Sequence, residues 1–126
     1  MKQPTTPSTA PVALAVMNTA LVPNQEAGER ESEICSAAAR YGFAEAPEVV
    51  RFEHGADTLP PALGEVLRRI VEVQATAVFM PSADHVGGIA GVLRIMNAVM
   101  GTRPPRVLMR GVFFTDDAAD QDGRRR

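Results

Sequence analysis

The chain has 126 residues, of which 45% are hydrophobic and 22% are charged, and its formal net charge is -2. This length fits one domain whose core needs neither metal nor disulfides, and the composition excludes a disordered or fibrous protein. The charge balance gives no sign of a dedicated nucleic-acid surface, and the single cysteine, Cys35, excludes an intramolecular disulfide and a cysteine-rich metal site.

The amino-terminal residues 1–11 hold three prolines among serines and threonines. This composition predicts a flexible leader, and the stretch has no apolar segment of the kind found in signal peptides. The apolar stretches of the chain fall short of the roughly 18 residues needed to span a bilayer. We therefore expect a cytoplasmic protein that makes no membrane contact.

A first buried strand is predicted at Val12–Met17, where a short apolar run ends in polar residues. A helix follows from Asn24, a favoured N-cap residue, to a glycine stop at Gly42. The residues that recur at helical spacing and would form its buried stripe are Ala27, Ile34, Ala38 and Tyr41.

A second strand is predicted at Glu48–Phe52, whose alternation suits the edge of a sheet. The residues Leu59-Pro60-Pro61 open a second helix, because proline is tolerated in a first turn. Its apolar residues recur at i, i+3, i+4 and i+7, and they are Leu63, Val66, Leu67 and Ile70.

A third, more apolar strand at Ala75–Met80 leads into a polar loop, where Ser82 or Asp84 can cap the next helix. That helix spans about 87–100, and its apolar face is predicted to comprise Ile89, Val92, Leu93, Met96 and Met100. A last strand is predicted over 106–114, with a break at Gly111. The charged residues 116–126 are predicted to form a disordered tail.

Strands that alternate with amphipathic helices in the order β-α-β-α-β-α-β predict an α/β domain over residues 12–115. We expect three layers, with a mostly parallel sheet of four to five strands and helices on both faces. The strands that begin near Val12 and Ala75 are expected to be central neighbours. The residues expected to be largely buried are Val16, Ile34, Val50, Leu67, Ile70, Val78, Ile89, Val92, Leu93 and Leu108.

The order of these elements resembles the N-terminal catalytic domain of the serine recombinases, the resolvases and invertases. In that family a Tyr-x-Arg-x-Ser signature on the first strand carries the nucleophile, and a later strand-loop carries Asp-Arg-x-x-Arg. Here Leu14–Thr19 lies where the nucleophile strand would be, Glu29–Gly42 resembles the first helix, and Val78–Gly88 resembles the Asp-Arg-x-x-Arg element. The resemblance covers residues 12–115 and implies a resolvase-like fold.

The family's chemistry is the attack of a serine on a DNA phosphodiester, assisted by arginines. The resemblance aligns Thr19 with that serine, Met17 with the arginine two residues before it, and Asp84 with the aspartate. His85 and Gly88 stand where the family has further arginines. Because the loss of one such donor can cost about a hundredfold in rate, we expect a degenerate relative without strand-exchange activity.

Asp84 and His85 also have interpretations of their own. They could form an acid-base pair or half of a metal site, but an aspartate at a helix start is typically a cap. His54 and Asp57 could join them in a two-histidine site, yet the spacing matches no metal motif and favours solvated loop histidines. We expect no metal and no cofactor.

Two other features near this loop have both a chemical and a structural interpretation. Gly87 and Gly88 resemble a phosphate-cradling turn at a helix start, or they provide close packing. Thr19 as a nucleophile needs an adjacent base, which the sequence does not reveal, and it is otherwise a turn residue.

Arg124, Arg125 and Arg126 could contact DNA phosphates weakly and in a salt-sensitive way. The partner that we expect first is a protein or a second copy of the chain. Our first hypothesis is a catalytically degenerate resolvase-like domain that acts as a protein-interaction, regulatory or accessory module. The alternative is an active DNA-processing or nucleotide-binding enzyme that uses the corner formed by Thr19 and Asp84.

Overall fold

The computed structural model describes residues 10–52 and 59–115. Within these ranges it has four strands and three α-helices: β1 Ala13–Asn18, α1 Asn24–Arg40, β2 Glu48–Phe52, α2 Leu59–Val73, β3 Ala77–Met80, α3 Ile89–Met100 and β4 Gly111–Phe114. Short 3₁₀ helices follow β1 and β3, at Thr19–Leu21 and Ala83–Val86. The predicted α/β class is confirmed, whereas the predicted tail and most of the predicted leader lie outside the described residues.

The four strands form one parallel sheet in the order β2-β1-β3-β4. The predicted central pair is confirmed, because β1 pairs with β3 and Leu14 stands opposite Val78. All residues of these two strands are buried, and all of them except Asn18 are apolar, as is typical of parallel strands that are covered on both faces. β2 and β4 are the edge strands of the described sheet.

Successive side chains of each strand point to opposite faces of the sheet, and so the core has two halves. The half that packs under α2 and α3 includes Leu14, Val16, Val66, Ile70, Val78, Met80, Ile95 and Val99. The other half packs under α1 and includes Ala15, Met17, Ile34, Ala38, Phe43 and Phe79. Helices therefore cover both faces, two on one side and one on the other.

The expected core is confirmed in part. Val16, Ile34, Ile70, Val78 and Val92 are buried, while Val50 and Leu67 are half-buried. Three residues were assigned wrongly, because Ile89, Leu93 and Leu108 are exposed.

Local geometry explains the misplaced residues. The α3 helix is apolar around most of its circumference, so the spacing of its apolar residues does not single out the buried face. The predicted strand over 106–114 starts too early, because β4 begins only at Gly111, and Leu108 therefore lies outside the sheet. Gly111 has a positive φ of 148°, which fits the break predicted at this residue.

The ends of α1 correct one prediction and confirm another. The helix takes Pro23 as its N-cap and Asn24 as its first residue, so the expected Asn24 cap is wrong. At the other end Tyr41 is the C-cap and Gly42 follows, as predicted for a glycine stop. Tyr41 itself was expected in the buried stripe but is 44% exposed.

Candidate functional site

The carboxyl ends of the parallel strands lie together at one edge of the sheet, which is where α/β proteins usually bind ligands. β1 ends there at Asn18 and continues into the 3₁₀ helix that begins at Thr19. β3 ends there at Met80, and the following 3₁₀ helix carries Asp84 and His85. These residues form the candidate corner.

His85 is the most buried titratable group of this corner, with 4% of its surface exposed. Its Nδ1 atom accepts a hydrogen bond of 2.9 Å from the backbone N–H of Asn18. A nitrogen that accepts carries no proton, so the neutral ring holds its proton on Nε2. The interpretation of His85 as a solvated loop residue is wrong, because the 3₁₀ helix after β3 places the imidazole over the end of β1.

The polar side chains at the end of β1 are used to hold the backbone. Asn18 is buried, and its Oδ1 accepts a 3.1 Å hydrogen bond from the N–H of Ala20, which caps the short 3₁₀ helix. The Thr19 hydroxyl donates to the carbonyl oxygen of Phe52 at 3.2 Å and so ties the 3₁₀ helix after β1 to the end of β2. A carbonyl oxygen is too weak a base to activate a hydroxyl as a nucleophile.

Neither Asp84 nor Met17 has a side chain that could bind a phosphate group at this corner. Met17 is fully buried in the half of the core under α1, away from the solvent at the sheet edge. Asp84 is exposed, and the expected helix cap is wrong, because Gly88 is the N-cap of α3 and no side chain bonds there. The turn at Gly87 and Gly88 separates Asp84 from the first turn of α3.

The glycines before α3 serve a tight turn. Gly87 and Gly88 have φ angles of 88° and 92°, and their N–H groups donate to the carbonyl oxygens of Asp84 and Ala83. These two donors are therefore already used within the protein. At Gly91 an added Cβ would lie 1.8 Å from the Val86 carbonyl oxygen, so the helix packs directly on the 3₁₀ backbone.

His54, Asp57, Arg124, Arg125 and Arg126 lie outside the described residues, and their roles stay predictions. Among the residues that are described, no three histidine, cysteine, aspartate or glutamate side chains are grouped closely enough to hold a metal ion. In the same ranges no helix has the length and apolarity needed to cross a bilayer.

The α3 helix carries a second candidate site, an exposed apolar surface. We call Ile89, Leu93, Met96 and Met100 the α3 stripe, because their spacing of i, i+4, i+7 and i+11 places them along one side of the helix. Ile89, Leu93 and Met100 are 68%, 59% and 58% exposed, and Met96 is half-buried. The helical spacing predicts all four residues on the apolar face of α3, and it predicts Ile89 and Leu93 in the core. The composition of the helix, whose only polar side chains are Arg94 and Asn97, already indicates a second covered face.

The chain was compared with protein-family models, with characterised proteins and with solved structures, and none of the three comparisons gives a match.

Proposed function

We propose that this chain is a non-catalytic interaction module, a degenerate relative of the serine recombinase catalytic domain, which associates with a second copy of itself through the α3 stripe. The observation that carries the proposal is the exposure of three large apolar side chains, Ile89, Leu93 and Met100, along one side of a single helix. Covering these groups in a complex would remove apolar surface from water, at roughly 25 cal/mol per Å².

The composition of α3 supports a covered helix. Its buried side is made by Gly91, Val92, Ile95 and Val99, so apolar residues occupy both this side and the α3 stripe. A helix that is apolar nearly all round is typical of one that is buried on more than one side. A contiguous apolar patch on a protein surface is likewise typical of a protein contact.

The charge pattern favours a second copy as the partner. Arg94 is the sole charged residue of α3 and does not belong to the stripe. Two stripes can therefore face each other without placing like charges in contact. An apolar stripe of this kind is complementary to itself, which is what a two-fold symmetric contact requires.

The state of the corner argues against catalysis. A nucleophile at Thr19 would have to give up its hydrogen bond to the Phe52 carbonyl, and His85 already accepts the Asn18 amide. Neither Met17 nor Gly88 can offer a cation to a phosphate. Rates of phosphoryl transfer depend on such preorganised positive groups.

Sedimentation equilibrium of the full chain over a wide concentration range tests the association. We expect a monomer-dimer equilibrium that Leu93→Gln weakens at least about tenfold, because each dimer loses two buried leucine side chains. Val71→Gln is the matched control, since Val71 is 55% exposed on α2 and lies outside the stripe. A wild-type chain that stays monomeric throughout, or equal effects of both substitutions, would contradict the proposal.

A denaturing gel with duplex DNA tests the absence of catalysis. We expect no covalent protein-DNA adduct, and we expect any filter binding of DNA to be lost with rising salt and with removal of Arg124, Arg125 and Arg126. An adduct that Thr19→Ala abolishes would establish a working nucleophile and overturn this half of the proposal. Tight binding without the three arginines would make DNA a partner.

A further inference from the structure

The two edge strands of the sheet are protected very differently. On β2, Glu48 pairs with Arg69 of α2 at 2.6 Å, and Arg51 pairs with Glu31 of α1 at 2.7 Å. Glu48 and Arg51 lie on opposite faces of the strand, so charged side chains flank this edge from both sides. Charged groups along an edge strand are a common way to prevent pairing with another chain.

Within the described residues the β4 edge lacks such protection. Its sequence, Gly111-Val112-Phe113-Phe114, has no charge, and within the described residues no strand pairs with its outer side. Val112, Phe113 and Phe114 are all large and apolar but only half-buried. An uncharged apolar edge of this kind is a template for the addition of another strand.

The pairing of β4 with β3 determines which backbone groups face outward. The N–H groups of Gly111 and Thr115 donate to the carbonyl oxygens of Thr76 and Met80, so the odd-numbered residues bond toward the sheet. The direction of backbone hydrogen bonding alternates along a strand. Val112 and Phe114 therefore present their N–H and C=O groups at the outer edge.

We propose that β4 pairs antiparallel with β4 of a second copy, with Phe113 on the two-fold axis, so that two sheets become one continuous sheet. This inference rests on the self-association proposed above and specifies its geometry. In this register Val112 stands opposite Phe114 of the second copy, and each pair exchanges both backbone hydrogen bonds. A register shifted by one residue would place the outward-facing backbone N–H and C=O groups of one strand opposite residues whose groups face inward. Such a register cannot form these hydrogen bonds and is therefore excluded.

Full pairing of the outward-facing groups distinguishes this register from the other antiparallel ones. Val112 and Phe114 are the two residues of β4 that bond outward, and they lie symmetrically about Phe113. An axis at Phe113 therefore pairs both of them with residues of the second β4 strand, whereas an axis at Val112 or at Phe114 would pair only one of them within the strand.

The same symmetry covers the exposed apolar groups on both faces. A two-fold axis perpendicular to the sheet keeps both α3 helices on one face, and the Met96 methyl reaches toward Gly111 at the start of β4. The α3 stripes would then run side by side across the axis. On the opposite face Phe113, whose ring centre lies 5.2 Å from those of Tyr41 and Phe79, would meet its own symmetry mate.

Disulfide trapping tests the register in the full chain, with Cys35→Ser in every variant. Residues opposite each other in a non-hydrogen-bonded pair lie about 4.5 Å apart at Cα, which suits a disulfide. Phe113→Cys should therefore form a covalent dimer in a glutathione buffer at least about tenfold faster than Val112→Cys, whose symmetry mate is a diagonal neighbour at roughly 7–8 Å. Equal rates, or faster trapping of Val112→Cys, would overturn the proposed register.

A wild-type chain that sediments as a dimer but gives no Phe113→Cys disulfide would overturn this inference alone, whereas a monomer would overturn the self-association itself.

Discussion

The imidazole of His85 joins the turn after β3 to the end of β1 through one buried hydrogen bond, from the Asn18 N–H to Nδ1. The two residues are 67 positions apart in the chain. No local pattern encodes such a contact, which is why the sequence indicated a loop histidine and not a buried one. The sequence did indicate that Asn18, Thr19 and His85 follow strands, and the parallel sheet brings those strand ends to one edge.

Substitution of His85 measures the strength of this link. His85→Ala should lower the free energy of unfolding by about 2–4 kcal/mol, because it leaves a cavity and a buried N–H without its acceptor. His85→Asn places an oxygen near the position of Nδ1 and should cost about 1 kcal/mol less. Urea denaturation of the two variants checks the difference. An equal loss for both would show that the Asn18 hydrogen bond contributes nothing.

The α3 helix shows where hydrophobic periodicity fails. Val92 was placed correctly, whereas Ile89 and Leu93 belong to the exposed side. Both sides of α3 are apolar, so hydrophobicity alone does not determine which side is buried. The buried side is the one that carries Gly91, because only a residue without a side chain permits the close contact with the Val86 carbonyl oxygen. In α2 the charged side is clear from the arginines and glutamates, and there the predicted Val66 and Ile70 are fully buried.

The close approach at Gly91 can be tested against a matched glycine. Gly91→Ala should lower the free energy of unfolding by about 1–3 kcal/mol or more, because the new methyl group meets backbone atoms that cannot move aside. Gly64→Ala, inside α2 and with no described atom within 4 Å of the new Cβ, should raise it by about 0.5–1 kcal/mol. Thermal or urea unfolding measures both. Similar effects of the two substitutions would contradict the packing of α3.

The ion pairs that flank β2 predict a dependence of stability on acid. The hydrogen bonds from Arg51 and Arg69 lower the pKa values of Glu31 and Glu48 below their ordinary range. A carboxyl whose pKa is lower in the folded state stabilises the fold above its unfolded pKa, and this contribution is lost as the pH falls through the folded pKa.

We therefore expect the free energy of unfolding to fall as the pH is lowered from about 5 toward 3. The double variant Glu31→Gln, Glu48→Gln should have a shallower slope in this window. Glu45→Gln, at an exposed glutamate for which the structure describes no ion pair, should keep the wild-type slope. Urea denaturation at a series of pH values measures these slopes. Identical slopes for the wild type, the double variant and Glu45→Gln would show that the two ion pairs do not cause the dependence of stability on pH.

The two edges of the described sheet are stabilised differently. The β2 side carries ion pairs to helices on both faces, whereas the β4 side presents half-buried aromatics beside the α3 stripe. If the second copy covers the β4 side, folding and association are coupled, and the stability of the protein depends on its concentration. A monomeric fold has no such dependence.

A dilution series of urea unfolding curves separates these two cases. For a folded dimer that unfolds to separate chains, a hundredfold rise in protein concentration stabilises the dimer by RT ln 100, about 2.7 kcal/mol. The wild-type midpoint should therefore rise with concentration, and that of Val71→Gln should rise in parallel. Leu93→Gln should need at least about tenfold more protein than the wild type to reach the same midpoint, because it removes apolar contact from the interface without disturbing the buried side of α3. A wild-type midpoint that is independent of concentration would mean that the α3 stripe and the β4 edge remain uncovered in solution.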